Sequence, residues 1–150
     1  MRIYVDTSVI GGYFDEELQE WSQQLFQEFR DGKKIAIISD VTLEELEGAP
    51  AFVRQILTTI PDKFKEIVTL DDEAKALSNH YIKEKIVTAK SLMDTRHIAI
   101  ASINRADILV SWNFKHIVNY KLIRLYNSVN LKYGYQMLEI RTPQETIEPQ

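Results

Sequence analysis

The chain of 150 residues contains no cysteine, which excludes a disulfide framework and any chemistry that needs a thiolate. Its three histidines, His80, His97 and His116, are scattered, which argues against a structural zinc site. Any bound metal is expected to be held mainly by oxygen. With only five glycines and four prolines, there is no Gly-, Ser- or Pro-rich linker. There is no repeat or low-complexity tract either, so one domain spanning 1–150 is expected. A domain of this length buries roughly two-thirds of its unfolded surface and needs no crosslink or metal to fold. No run of about 18 apolar residues is present, and the opening MRIYVDTSVI lacks a basic leader with an apolar core. Neither a membrane span nor export is expected, and the cytoplasm is the expected compartment. A basic excess is missing too. The 18 Lys+Arg against 22 Asp+Glu give a net charge of -4, which excludes coating of nucleic acid by bulk attraction.

What the chain does carry is charge unevenly spread. Residues 1–74 sum to −9 and residues 75–150 to +5. Alternation of strand and helix is the other visible pattern. Residues 2–6 (RIYVD) read as a strand, with Thr7-Ser8 and Gly11-Gly12 as the turn after it. Phe14, Leu18, Trp21, Leu25, Phe26 and Phe29 recur at spacings of three and four, predicting a core-facing helix that stops at Asp31-Gly32. Strands are expected at 33–38, 66–70, 107–111 and 136–140. Helices are expected after Ser39 or Asp40 through Leu46, over 51–60, after Asp71 with Ala74, Leu77, Tyr81 and Ile82 on one face, and from Ser91 with Ile98, Ala101 and Ser102 inward. This alternation predicts an α/β fold of three layers, α/β/α, around a mainly parallel sheet of four to five strands. In such sheets the ligand crevice lies beyond the carboxyl ends of the strands.

Several polar residues fall at that edge. Asp6 ends the first strand, Glu44 and Glu45 follow the second, Asp94 lies in the first turn of a helix, and Asn113 follows the strand 107–111. Acids converging there repel one another unless a cation binds, and hard oxygens without thiolate select Mg²⁺ or Mn²⁺. Such ions can activate water against a phosphodiester. Simpler roles exist for each residue: Asp6 could cap the following turn, and Ser91-Leu-Met-Asp94 fits a capping box. Glu44 and Glu45 point about 100° apart on a helix, so only one can face a site. His97, one turn after Asp94, reads as a packing residue or as a partner of the acids. Trp112, Phe114 and Tyr120 read as core or as base-stacking rings.

Four segments, YVDTSV (4–9), ISDVTLEEL (38–46), MDTRHIAIA (93–101) and ILVSWNFKHI (108–117), together resemble the four signature regions of PIN-domain nucleases. The similarity is greatest to the VapC-like group of toxin ribonucleases from toxin–antitoxin pairs. Order, approximate spacing and length agree over nearly the whole chain. The resemblance implies the PIN-like α/β/α fold and Mg²⁺- or Mn²⁺-dependent endonucleolytic cutting of RNA that leaves a 5′-phosphate and a 3′-hydroxyl. It also implies a homodimer and an antitoxin partner. Asp6, Glu45 and Asp94 match the three core acids that are both catalytic and metal ligands, Glu45 being preferred to Glu44 because the family acid usually precedes Leu. Ser8 and Ser111 match supporting hydroxyls. Asn113 stands where many members carry a fourth acid, and is expected to ligate through its carbonyl oxygen without adding charge.

Two other classes fit less of the chain. A PIN-like scaffold acting by binding RNA or an antitoxin is suggested by the missing fourth charge. A phosphatase or receiver-like protein phosphorylated on Asp6 would want a second acid two residues on, where Ser8 stands. The segment 115–141, with Lys115, Lys121, Arg124, Lys132 and Arg141 against Glu139, offers cations for a phosphate backbone.

Overall fold

A computed structural model describes residues 1–149; Gln150, the last residue of the expected domain, lies outside the described residues. Five strands form one parallel sheet: β1 (Arg2–Val5), β2 (Ile35–Ser39), β3 (Lys65–Val68), β4 (Ile108–Val110) and β5 (Glu139–Arg141), in the order β3-β2-β1-β4-β5. Alternation of side chains assigns the strands' apolar residues to two cores. Ile3, Val5, Ala36, Ile38, Ile108 and Val110 face one side, where Val9, Ile10, Leu25, Phe26 and Phe29 cover them. Tyr4, Ile37, Leu109 and Ile140 face the other, under Leu77, Tyr81, Ile98, Ala101, Tyr126 and Val129. A sheet apolar on both faces must be covered on both, which is why β1, β2 and β4 read as unbroken apolar runs. The outer strands are charged instead. Arg141 pairs with Glu139 on β5 at 3.1 Å, and Arg2 reaches Glu66 of β3 at 2.7 Å, which discourages further edge pairing.

On the first side lie α1 (Thr7–Gly12) and α2 (Gln19–Arg30), with α3 (Asp40–Leu46) at its border, then α4 (Ala51–Arg54) and a 3₁₀ turn over Gln55–Thr59. On the second lie α5 (Asp72–Lys83), α6 (Leu92–Ile103) and α7 (Tyr120–Lys132), while a short α8 (Pro143–Thr146) returns to α2. Caps fix several starts: Ser39 Oγ accepts from Thr42 N, Asp71 from Ala74 N, and Asn119 from Leu122 N, each contributing about 1 kcal/mol.

Four expectations change. Residues 7–12 are helical rather than a turn, because Val9 and Ile10 bury against the sheet. The helix expected over 51–60 divides into α4 and the 3₁₀ turn. The last strand begins at Glu139 rather than Gln136, since Leu138 is held by Asn127, whose side chain bonds both its N–H and its carbonyl. The unexpected helix is α7. Its inward face includes Asn127 and Asn130 beside Tyr126 and Val129, so its apolar spacing is broken by polar residues. They are satisfied within the fold: Asn130 Nδ2 donates to Ser102 Oγ and to the Gln136 carbonyl.

The connections from β1 run outward through β2 to β3, and the chain then crosses to β4 and β5 on the other side of β1. The topological switch point therefore lies between β1 and β4, the place at which open α/β sheets bind their ligands.

Candidate active site

Asp6 stands at that point, where β1 ends and α1 begins. Its N–H donates to the Val110 carbonyl at 3.1 Å, joining the two strand ends. It occupies the cap position of α1 without making a capping bond, although its side chain is buried, with the residue 5% exposed. The Oδ2 atom accepts from Ser8 Oγ at 2.6 Å and from Ser111 Oγ at 2.8 Å. Backbone amides aim both hydroxyls: Trp112 N donates to Ser8 Oγ and Asn113 N to Ser111 Oγ, each at 2.9 Å. A serine has one proton, and each of these directs it at Asp6. Trp112 is itself anchored, its indole N–H donating to Ser22 Oγ at 2.9 Å beside Gly12.

Helix α3 starts at the Ser39 cap, and its two glutamates point to different places. Glu45 turns toward the Asp6 side, and Glu44 lines a separate hollow with Asp40, Lys75 and Arg96. Glu45 Oε1 accepts from Thr7 Oγ1 at 2.8 Å and lies 2.5 Å from His97 Nε2. Burial opposes its charge, but the bond and charge of His97 and the bond from Thr7 outweigh this and hold its carboxyl below the usual range.

Asp94 and His97 come from the first turns of α6. The capping box that Ser91 and Asp94 could have formed is absent. Ser91 closes a 3₁₀ turn with ψ 21°, not the extended backbone of a capping serine. Asp94 Oδ1 instead accepts from Asn113 Nδ2 at 3.2 Å. Burial pushes the Asp94 carboxyl up; the charges of Asp6 and Glu45 add to this, against His116 and His97. The carbonyl oxygen of Asn113 accepts from the amides of Lys115 and His116 at 3.2 and 3.0 Å. Two backbone donors fix the orientation of the amide, so Asn113 enters the site as a donor to Asp94, whereas the sequence suggested an oxygen ligand.

His97 links the rest. It is 1% exposed, with Nε2 at 2.5 Å from Glu45 Oε1 and 3.5 Å from Asp6 Oδ1. Its Nδ1 lies 2.6 Å from the Tyr4 hydroxyl, which lies 2.7 Å from Ser39 Oγ. Burial disfavours the imidazolium, yet the hydrogen bond to Glu45 and the charges of Asp6, Glu45 and Asp94 raise the His97 pKa above its ordinary value. The Tyr4 hydroxyl thus bridges His97 Nδ1 and Ser39 Oγ. Burial also pushes the Tyr4 hydroxyl up, which keeps it protonated in this chain of bonds.

Among the described residues, no group of three Asp, Glu or His side chains is gathered as a ready set of metal ligands. The donors still have the chemistry of a hard-cation site: carboxylate oxygens with no thiolate, among them Asp94, which burial first and then the charges of Asp6 and Glu45 push up. His97 lies where it offsets the charges of Asp6 and Glu45. Sequence reasoning passed over Thr7 and Tyr4 as partners in this network. Thr7 sits within YVDTSV, while nothing distinguishes Tyr4 from a core residue of β1. His97 was readable only through its place one turn after Asp94.

No family model matches the sequence, and no curated protein does. Solved structures do. VapC20 of Mycobacterium tuberculosis, described as a toxin that cleaves the sarcin–ricin loop, superposes with a TM-score of 0.57 at 11% identity, covering 75% of this chain and 91% of that one. A chain of VapBC2 from Rickettsia felis, a complex bound to a DNA fragment from its promoter, gives a TM-score of 0.55 at 15% identity, covering 93% and 98%. The fold is the PIN-like fold of these toxins. At such identities the likeness concerns the backbone architecture, and the PIN-like sheet places Asp6 and Asn113 at the ends of its two central strands.

Proposed function

We propose that this chain is an endoribonuclease dependent on Mg²⁺ or Mn²⁺, one domain over 1–150 acting in the cytoplasm as the toxin of a toxin–antitoxin pair. The observation that carries this reading is the buried Asp6 carboxylate, aimed by Ser8 and Ser111 at the switch point of a PIN-like sheet and facing Glu45 across His97. Asp6, Glu45 and Asp94 would hold the ion. When bound, it would supply positive charge to the phosphate and promote ionisation of the attacking water. The chain supplies positioning. Ser8 and Ser111 fix Asp6, Thr7 and His97 fix Glu45, and Asn113 fixes Asp94. Hydrolysis adds the water oxygen to phosphorus, breaks the bond to the 3′ oxygen and returns a proton to it, leaving a 5′-phosphate and a 3′-hydroxyl. A homodimer and an antitoxin partner belong to the same reading.

The test is cleavage of a labelled single-stranded RNA with and without Mg²⁺ or Mn²⁺. Wild type should cut, while Asp6→Asn and Asp94→Asn should lose on the order of 100-fold or more. Equal rates in the three proteins, or cutting that persists in EDTA, would refute the assignment. A second reading, a PIN-like scaffold that binds RNA or an antitoxin without cutting, is favoured by His97 between two of the acids and by the engaged carbonyl of Asn113. Titration with Mn²⁺ separates the two, since the scaffold should show no saturable ion binding that Asp6→Asn abolishes.

A further inference from the structure

Between Asp107 and Glu139 the chain carries no acidic residue, although its net charge is −4. This stretch includes β4, the loop that bears Asn113, and α7. The loop is tied down: the amides of Ile117 and Val118 donate to the backbone carbonyl of Asn113 at 3.1 and 2.8 Å, and Tyr126 Oη donates to the His116 carbonyl at 2.8 Å. Directly after it, α7 presents Tyr120 with 78% of its surface exposed, an unusual position for an aromatic ring that packs against no core. The Arg124 guanidinium lies 5.8 Å from the centre of that ring, and neither Arg124 nor Lys121 forms an ion pair among the described residues. Tyr120, Lys121, Arg124, Leu125 and Ser128 line an open cleft of about 370 Å³.

An exposed ring, a guanidinium held over it and a second free cation are the elements that bind a nucleotide unit of a single strand. The ring stacks on a base of any identity, and the cations take the adjoining phosphate. We infer that the Tyr120–Lys121–Arg124 cleft is a second contact for single-stranded RNA, outside the carboxylate site, gripping the strand away from the bond to be cut. The inference rests on the nuclease reading. It also explains how an acidic protein can hold a polyanion: the carboxylates are offset at the site, and the grip lies in the acid-free segment.

The experiment measures binding of a fluorescein-labelled single-stranded oligoribonucleotide by anisotropy, in the Asp94→Asn background with Mg²⁺ present, over a series of salt concentrations. Cleavage of the same RNA by the wild type is followed in parallel. Tyr120→Ala should weaken binding about 10-fold, and Tyr120→Phe should restore it, since stacking needs the ring and not the hydroxyl. Arg124→Ala should lower the slope of log K against log salt by about 0.7. If wild type cuts but Tyr120→Ala and Arg124→Ala bind like their parent, the second contact is refuted and the nuclease reading stands. If wild type neither binds nor cuts, the nuclease reading fails and takes this inference with it. If the variants lose a dimer in sedimentation while their RNA affinity is unchanged, the face belongs to a second copy and the inference is overturned.

Discussion

Two adjacent glycines in α1 should respond to the same substitution with opposite signs. Gly11 is exposed, and a Cβ built on it meets nothing within 4 Å. Gly11→Ala therefore only reduces the freedom of the unfolded chain and favours helix, a gain of about 0.4–1 kcal/mol. A Cβ on Gly12 would lie 2.6 Å from Trp112 Nε1, 2.8 Å from Trp112 Cδ1 and 2.9 Å from Ser22 Oγ. Ordinary contacts between such atoms begin near about 3.5 Å, so the indole must move by roughly 1 Å. Moving it overpacks the core, at about 1–3 kcal/mol, and strains or breaks the Trp112–Ser22 hydrogen bond, at a further ~1–3 kcal/mol if the indole N–H is stranded. The helix gain offsets only part of this, leaving a net loss of about 1–5 kcal/mol for Gly12→Ala. In urea, with a slope of roughly 1–3 kcal/mol/M, Gly11→Ala should raise the midpoint by a few tenths of a molar unit and Gly12→Ala should lower it by about 1 M. Trp112 fluorescence should shift to the red in Gly12→Ala alone. Because Trp112 N also aims Ser8 at Asp6, RNA cleavage should fall in Gly12→Ala and hold in Gly11→Ala. Equal midpoints for the two variants would refute the packing argument.

Three further outcomes follow from the same geometry. In metal-free protein the raised His97 pKa contributes stability that is complete below the ordinary value of 6.5 and is lost as pH rises through the folded value; the lowered Glu45 pKa contributes stability above 4.5 that is lost as pH falls through its folded value. Urea midpoints should therefore fall on the alkaline side for wild type but stay nearly flat there for His97→Ala, and a parallel decline in both would remove the histidine from the linkage. Ser111→Ala takes a hydrogen bond from Asp6 and the acceptor from Asn113 N. It should cost about 1–3 kcal/mol in stability and slow cleavage at saturating RNA, so unchanged activity would deny Ser111 a supporting role. Lys34 and Glu28 form a buried ion pair, with Glu28 also accepting from Glu148 N at 2.9 Å. Lys34→Met should cost about 3–5 kcal/mol, and Glu28→Leu added to it should restore much of that; a single-variant loss below about 1 kcal/mol would show that the pair carries little charge penalty.

Much of the architecture was legible because it rests on short-range patterns. The short apolar runs of β1 and β2, the spacing of Leu25, Phe26 and Phe29 in α2, and the cap at Asp71 each express a local preference that the fold leaves intact. Helix α7 was hidden because its buried face uses Asn127 and Asn130, whose partners Leu138, Ser102 and Gln136 lie elsewhere in the chain. The turn expected at Gly11-Gly12 failed for a similar reason, since Gly12 is needed to admit Trp112, a hundred positions away, rather than to turn the chain. At the candidate site, residue type and position drew attention to Asp6, Glu44, Glu45, Asp94 and Asn113, and the family resemblance preferred Glu45 to Glu44. Ligands of such sheets bind beyond the strand ends, and clustered carboxylates there suit a hard cation, so chemistry could be argued without coordinates. Only the tertiary structure decided what those side chains do to one another. It turned Glu45 rather than Glu44 toward Asp6, gave Asn113 the part of a donor, and set the buried His97 between two acids. These are contacts across residues 6, 45, 94, 97 and 113, where orientation depends on the rotation of α3 and α6 about their axes. No periodicity along the chain encodes that rotation; packing against the sheet sets it.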